Sequence, residues 1–404
     1  MWLNQKRPSE IIRLVKRSHK WFYKWLNRFR QFGWPGLREQ SRKPQTVSSQ
    51  SSPALRQLVL RLRKKAERRG VGLIGAQALQ DEIRRERLAP HIPSRATINR
   101  WLREEGLLAS PAAAEKKVYY PACHLPPGYV RQAMDWISRD LPGGKEKVFA
   151  FHTLDFGTRA LAQTLSRDKS GESLHRHALE VWQSIGIPDI LQMDNDGAFN
   201  GGGRTPRRFG AFIRLCLWLG IEPLFTPPGE PDRNGEIEQL NGLWVRSFWK
   251  RSRFKSWSDV WRKRTRFTTW YGEKYHPPAL GGRTVAQAGR GQKRTRLTTK
   301  QVAALPKGKL PITAGRVHFM RRVSASGEIK LLNETWKVSR SLRRQYVWAT
   351  ITTDQQRLDI YHRHSERSAA RLVKTYAYPL SEKVSRLSGE YRRHARRPAV
   401  LPML

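Results

Sequence analysis

From residue 130 onward the order in which apolar spacing changes restricts the fold more than any other feature of the chain. Three strand-like runs come first, over residues 132–138, 147–155 and 159–165, before any helical pattern intervenes. The turn Asp155-Phe156-Gly157-Thr158 joins the second run to the third. A helical pattern then covers residues 173–185, with Leu174, Ala178, Val181 and Trp182 on one face. Ile190-Leu191-Gln192-Met193 follows as a short apolar strand that stops at Asp194. Residues 209–219 read as a helix and residues 221–226 as a last strand. Asn234-Gly235 then opens a long helix with Ile237, Leu240, Trp244 and Phe248 along one stripe. Strands first, then alternating strand and helix, predict an α/β domain over residues 130–290.

The flanking regions differ in texture. Residues 1–41 carry two short helical patterns, the first with Ser9 as its expected N-cap and the second with Phe22, Trp25, Leu26 and Phe29 at helical spacing among lysines and arginines. Gly33 and Pro35-Gly36 stop it. Two helices and a short turn fit a helix-turn-helix module, and a plain helical hairpin with a solvated basic face is the alternative. A polar linker runs from Arg42 to Pro53. Residues 54–108 hold three further helical segments, at 54–69, 74–87 and 94–105, and read as a second helix-turn-helix module. Ser94 caps the last helix, Ile98, Trp101 and Leu102 face inward, and Arg95, Asn99 and Arg100 point outward. A connector rich in Ala follows at residues 109–114. Past residue 310 the pattern becomes period-two, with short runs at 316–323, 328–332, 336–338, 346–352 and 358–361, which predict a small β-barrel over residues 310–365. The basic tail, residues 380–404, reads as disordered in isolation.

Charge then narrows the partners. The 404 residues include 77 Lys+Arg against 33 Asp+Glu, a net charge of +44, and a surface so basic favours polyanions, nucleic acid first. No apolar run is long enough to span a membrane, and the first residues lack the apolar core of a signal peptide. Cys123 and Cys216 are the only cysteines, which excludes a disulfide scaffold and a multi-cysteine zinc site. The expectation is a cytoplasmic, nucleoid-associated protein with no membrane partner.

Against this basic background three acids stand out. Asp135 lies inside a strand, where Asp is uncommon. Asp194 closes the fourth strand in Met193-Asp194-Asn195-Asp196-Gly197, and Glu238 lies in the first turns of the long helix. In such a sheet a central first strand and the fourth strand can be neighbours, which brings Asp135 and Asp194 together. Carboxylates so close repel unless cations occupy the site, and two Mg2+ ions, with Mn2+ as a substitute, answer that need. Asp155 is a competing acid read as structural, Asp140 and Asp196 read as turn residues, and His152, His175 and His177 read as core or surface residues.

These landmarks resemble a known family. Ala133-Met134-Asp135-Trp136, Asp194-Asn195, and Asn234-Gly235 with Glu238 three residues on are similar to the catalytic core of the retroviral-integrase-like DDE transposases of bacterial insertion sequences. Trp270-Tyr271, His276-Pro277 and Ala279-Leu280 resemble the end of such cores. Departures are Gln239 where an Arg often follows the Glu, the Asp196-Gly197 turn and the Gly201-Gly202-Gly203-Arg204 insertion. The resemblance implies a multidomain chain: N-terminal all-α helix-turn-helix modules, a central α/β RNase-H-like domain with a mixed five-stranded sheet, and a C-terminal small β-barrel. It also implies Asp135, Asp194 and Glu238 as catalytic and metal-binding residues, with Asp135 bridging both ions. The implied activity is cleavage at the ends of a mobile element and strand transfer into target DNA, performed by a homo-multimer on DNA. A DNA-binding repressor with an inactive RNase-H-like remnant, or an RNase-H-like nuclease, is the alternative.

DNA contacts are expected from Lys24, Arg28, Arg95 and Asn99 on the two groove-reading helices. Arg246, Lys250 and Arg253, read as a basic continuation of the long helix and interleaved with Trp249, Phe254, Trp257 and Trp261, are expected to grip backbone phosphates.

Overall fold

Pro8 and Ser18 set the first two helices. The computed structural model describes residues 7–39, 52–69, 71–108, 118–144, 146–201 and 206–394, in two units divided near Arg56. In the first unit α1 (Pro8–Val15) begins at a proline, whose missing N–H costs nothing in the first turn, so Ser9 is inside the helix and does not cap it. Ser18 caps α2 (His19–Phe32), its hydroxyl accepting from the Trp21 N–H at 3.2 Å. Ile11, Phe22 and Leu26 close the small core. Gly36 lets the following turn fold back on α2, because a Cβ there would stand 2.4 Å from the Arg28 carbonyl oxygen. Most of the linker, and the connector at 109–114, lie outside the described residues.

The second unit begins within α3 (Pro53–Arg68) and continues with α4 (Ala76–Arg85) and α5 (Arg95–Glu104). Ser94 caps α5 through the Thr97 N–H at 3.1 Å, and Ile98, Trp101 and Leu102 are buried, as their spacing predicts. Then come β1 (Arg131–Asp140), β2 (Lys147–Asp155), β3 (Leu161–Ser166), α6 (Gly171–Ser184), β4 (Ile190–Met193), α7 (Gly197–Asn200), α8 (Ala211–Trp218), β5 (Glu222–Phe225), α9 (Gly235–Ser247) and α10 (Trp257–Glu273). The first three strands pair antiparallel, while β4 and β5 run parallel to β1, in the order β3-β2-β1-β4-β5. These five strands form the mixed arrangement expected from the sequence. Leu174, Ala178, Val181 and Trp182 of α6 pack with Phe212 and Cys216 of α8 in one apolar cluster. Ile237, Leu240 and Trp244 of α9 pack with Phe267 of α10 in another.

Beyond the short helices α11 (Val285–Gly289) and α12 (Thr299–Ala303), the structure departs from the expected separate barrel. The strands are β6 (Arg316–Arg322), β7 (Glu328–Leu331), β8 (Glu334–Lys337), β9 (Tyr346–Thr352), β10 (Arg357–His362) and β11 (Arg371–Ala377). β6 pairs parallel with β5, Leu224 with His318 and Phe225 with Phe319, so that β6, β9, β10 and β11 extend the core sheet to nine strands. The β7–β8 hairpin stands apart as a two-stranded sheet. Burial accounts for the extension of the core sheet: Val317 and Phe319 of β6 and Ala349 and Ile351 of β9 share one apolar cluster with Met193, Phe212 and Phe225.

The tail is also corrected over its described part. Arg393 donates to the carbonyls of Pro188 at 2.7 Å and of Leu219 and Gly220 at 2.8 Å, and His394 stacks on Tyr129 at 3.8 Å, which ties residues 393 and 394 to the core. Arg396 and Arg397 lie outside the described residues. Among those residues no helix is long and apolar enough to cross a membrane.

Candidate active site

Strand register brings the two aspartates together. Parallel pairing of Arg131 with Ile190 and of Ala133 with Gln192, continued two residues, sets Asp135 beside Asp194 on the same face of the sheet. α9 is fastened over that face from both ends of its first two turns. Gln192 Nε2 donates to Asn234 Oδ1 at 2.9 Å, and Asn241 Nδ2 donates to Asp135 Oδ2 at 2.8 Å. Glu238 is one helical turn before Asn241 and so shares its face.

The Asp194 charge raises both Asp135 and Glu238. Burial, then the Asp194 charge, push the Asp135 carboxyl up to about 7, with Glu238 adding to the effect; the Trp136 N–H, at 2.7 Å, and Asn241 oppose it. Burial raises Asp194 as well, against the hydrogen bond that its Oδ1 accepts from the Asp196 N–H at 3.0 Å. Glu238 is raised by burial and then by Asp232 and Asp194. In a chain with 77 Lys+Arg, none of the three stands at ion-pair distance from a Lys or Arg among the described residues. Each of the three is half-buried, Asp135 and Glu238 both feel the Asp194 charge, and carboxylates are the kind of oxygen donor that a hard divalent cation takes. Among the described residues no three His, Cys, Asp or Glu side chains converge into a ready metal cage.

The other acids and the histidines serve structure. Asp155 Oδ1 accepts from the Gly157 and Thr158 N–H groups at 2.9 and 2.8 Å and closes the β2–β3 turn. Asp196 caps α7 and pairs with Lys169 at 3.3 Å. His152 is buried between Asn241 at 2.7 Å and Gln163 at 2.7 Å, and burial pulls its pKa down to about 4, so it is neutral at pH 7. His177 sits between Thr153 at 2.9 Å and Thr164 at 2.8 Å.

Two contributors escaped the sequence reading, Asn241 and Lys169, and a third, Arg321, was expected only among the phosphate-neutralising arginines of the C-terminal strands. Asn241 links Asp135 to His152, and its position one turn after Glu238 is the signal that would have found it. Lys169 lies with its Nζ 4.5 Å from the Trp136 ring centre and lowers the Asp194 pKa by its charge. Arg321, from β6, donates to Asn195 Oδ1 at 2.7 Å.

The candidate DNA contacts are spread out. Lys24 and Arg28 both lie over the Trp25 ring in the first unit, at 5.4 and 5.1 Å. Arg95 is exposed and Asn99 half-buried on α5. Arg246, Lys250 and Arg253 are exposed, but they do not share one helix: α9 ends at Ser247, Lys250 lies in a 3-10 turn and Arg253 precedes α10. Arg251 is taken up by the Ala66 and Glu67 carbonyls.

No family model matches the chain. Among solved structures it is similar to a chain of the simian T-cell lymphotropic virus intasome in complex with PP2A regulatory subunit B56 gamma, at 14% identity and a TM-score of 0.35, over 76% of this chain and 93% of that one. It is similar to the HTLV-2 integrase catalytic core domain in complex with magnesium, at 15% identity and a TM-score of 0.29, over 42% and 99% of the two chains. The BIV integrase catalytic core matches at 14% identity and a TM-score of 0.29, over 40% and 93%.

Proposed function

We propose that this protein is a DDE-type DNA transposase that binds the ends of a mobile element, cleaves there and joins the freed strand to target DNA. One observation carries the reading: strand register sets Asp135 beside Asp194, and the helix bearing Glu238 is hydrogen-bonded over that face, in a chain of net charge +44. Asp135, Asp194 and Glu238 would hold two Mg2+ ions. When bound, such ions activate water or a 3′-hydroxyl and neutralise charge on the leaving oxygen. Asn241 keeps Asp135 turned toward that place, and neutral His152 behind it keeps Asn241 from rotating. Lys169 gives the site rim a cation for an incoming phosphate.

The same reading assigns DNA as the partner. Lys24, Arg28, Arg95 and Asn99 are proposed to read the element ends, and Arg246, Lys250 and Arg253 to hold backbone phosphates. One such site accepts one reacting strand at a time, so moving two ends together calls for a homo-multimer on DNA.

The test is Mg2+-dependent joining of a labelled DNA end, taken from the sequence flanking the reading frame, to a plasmid. The wild type should yield joined product, and Asp135→Asn, Asp194→Asn and Glu238→Gln should each lose more than about 10³-fold while still binding DNA. Cleavage without joining would make the protein a nuclease. Binding with neither reaction would make it a repressor.

A further inference from the structure

Arg321 is 6% exposed on β6, yet among the described residues no carboxylate stands at ion-pair distance from it. Its hydrogen-bond acceptors are all neutral oxygens: Lys330 O from Nε at 2.9 Å, Thr226 O and Met320 O from Nη1 at 3.0 and 2.8 Å, and Asn195 Oδ1 from Nη2 at 2.7 Å; its guanidinium also lies 5.0 Å from the centre of the Phe319 ring, an aromatic contact that carries no counter-charge. A buried cation without a counter-charge is an expensive way to stabilise a fold, since apolar side chains of similar volume do as well or better. Its placement suggests what it serves instead. Thr226 directly follows β5 and donates its N–H to Met193 O at 3.0 Å, so the ends of β4 and β5 are tied side by side. Asn195 directly follows Asp194. Its Oδ1 accepts from Arg321, its Nδ2 donates to Thr226 O, and its carbonyl accepts from Asn200 Nδ2 at 2.9 Å.

We propose that Arg321 is a positioning residue that acts through Asn195 to hold the strand end carrying Asp194 in place beside Asp135. The inference rests on the carboxylate reading of the site above. Three of the bonded oxygens lie on separate segments, at residues 195, 226 and 330, and only a planar fork of N–H groups reaches all of them at once. A lysine has the charge without the fork. The competing role is a direct phosphate contact, because Arg321 also lines a cavity of about 640 Å³ together with Arg208 and Lys309.

The experiment uses the full-length protein with Arg321→Lys, Asn195→Ala, the double variant and Asp194→Asn. Four quantities are read: Mn2+ binding by electron paramagnetic titration, DNA affinity at fixed salt, kcat and KM for end cleavage, and thermal unfolding. Each single variant should weaken Mn2+ binding by about tenfold or more and lower kcat at unchanged KM, as loss of a partner behind a metal ligand does. The double variant should be no worse than the poorer single, because one link carries both effects. Should Arg321→Lys unfold, Asn195→Ala decides, because it leaves the guanidinium its three carbonyl bonds. Wild-type Mn2+ affinity and kcat in Asn195→Ala would overturn the inference. So would lost DNA affinity in Arg321→Lys with Mn2+ binding intact, which marks a phosphate contact. Asp194→Asn separates the two levels: if it binds Mn2+ like the wild type, the carboxylate reading itself fails, whereas if it loses Mn2+ and Asn195→Ala does not, only the role of Arg321 falls.

Discussion

Asn241 is the residue on which the orientation of Asp135 depends most directly. It offers its amide N–H to Asp135 and its carbonyl oxygen to His152, so Asn241→Leu removes both bonds and leaves two buried groups unpaired. The expected result is a 10- to 100-fold lower joining rate, roughly the effect of losing a partner behind a metal ligand, with DNA affinity within twofold of the wild type. Joining at the normal rate would mean that Asp135 is held by other means. The elements that carry the three acids were legible in the sequence: Asp135 lies inside β1, Asp194 directly follows β4 and Glu238 is in the first turn of α9, as the apolar patterns indicated. Their support was less so. Asn241 needed the helical spacing to be followed one turn past Glu238. Arg321 meets Asn195 across 126 residues of sequence, and no local pattern encodes such a contact.

Helices and strands were recognised mostly where a cap or an apolar face marked them. Ser94 caps α5 as expected, whereas Ser18, which caps α2, was not recognised as a cap. In the full-length protein, Lys24→Ala with Arg28→Ala, or Arg95→Ala with Asn99→Ala, should cost about 1–3 kcal/mol per lost base contact on element-end DNA and much less on random DNA. A competition shift assay in which both DNAs weaken alike would reduce these helices to a general polyanion grip. The basic run after Glu238 was misread as one helix because no glycine or proline interrupts residues 243–271. Ser256, which caps α10 through the Asp259 N–H at 3.3 Å, was the overlooked start signal. A further element was assigned no structure at all. After β11, Glu382 pairs bidentately with the buried Arg214 of α8 at 2.9 Å and with Lys309 at 2.6 Å, and these bonds hold its pKa down to about 2. A carboxyl with a depressed folded pKa stabilises above its unfolded value, near 4.5, and the contribution fades as pH falls toward 2. Glu382→Gln should therefore lower Tm by a few degrees, equally from pH 8 to pH 5, and the gap to wild type should narrow below pH 4.5. A gap that holds constant down to pH 3 would show that the ion pair contributes nothing.

At the scale of the whole molecule, the sequence disclosed which segments are strands but not which strands pair. Period-two runs give a strand and its two faces, and nothing in them names the neighbour. The region after residue 310 thus looked like a separable barrel, whose deletion would leave the rest of the fold intact. The sheet argues otherwise. β5 is covered along its outer edge by β6, and residues of β6 and β9 share an apolar cluster with β4, β5 and α8. Removing residues 310–404 would expose the β5 edge, strip Val317, Phe319, Ala349 and Ile351 from that cluster, and leave Arg214 without Glu382. An unpaired central strand with an apolar face is an aggregation site, and losing several buried side chains at about 2–5 kcal/mol each exceeds the whole stability of an ordinary domain. The expected outcome for the 1–309 fragment is insoluble protein, or soluble protein without a cooperative thermal transition, in contrast to a single main transition for residues 57–404 within the full chain. A 1–309 fragment that melts cooperatively near the full-length Tm, with only its DNA affinity and salt slope reduced, would restore the separable barrel and remove β6 from any role at the candidate site.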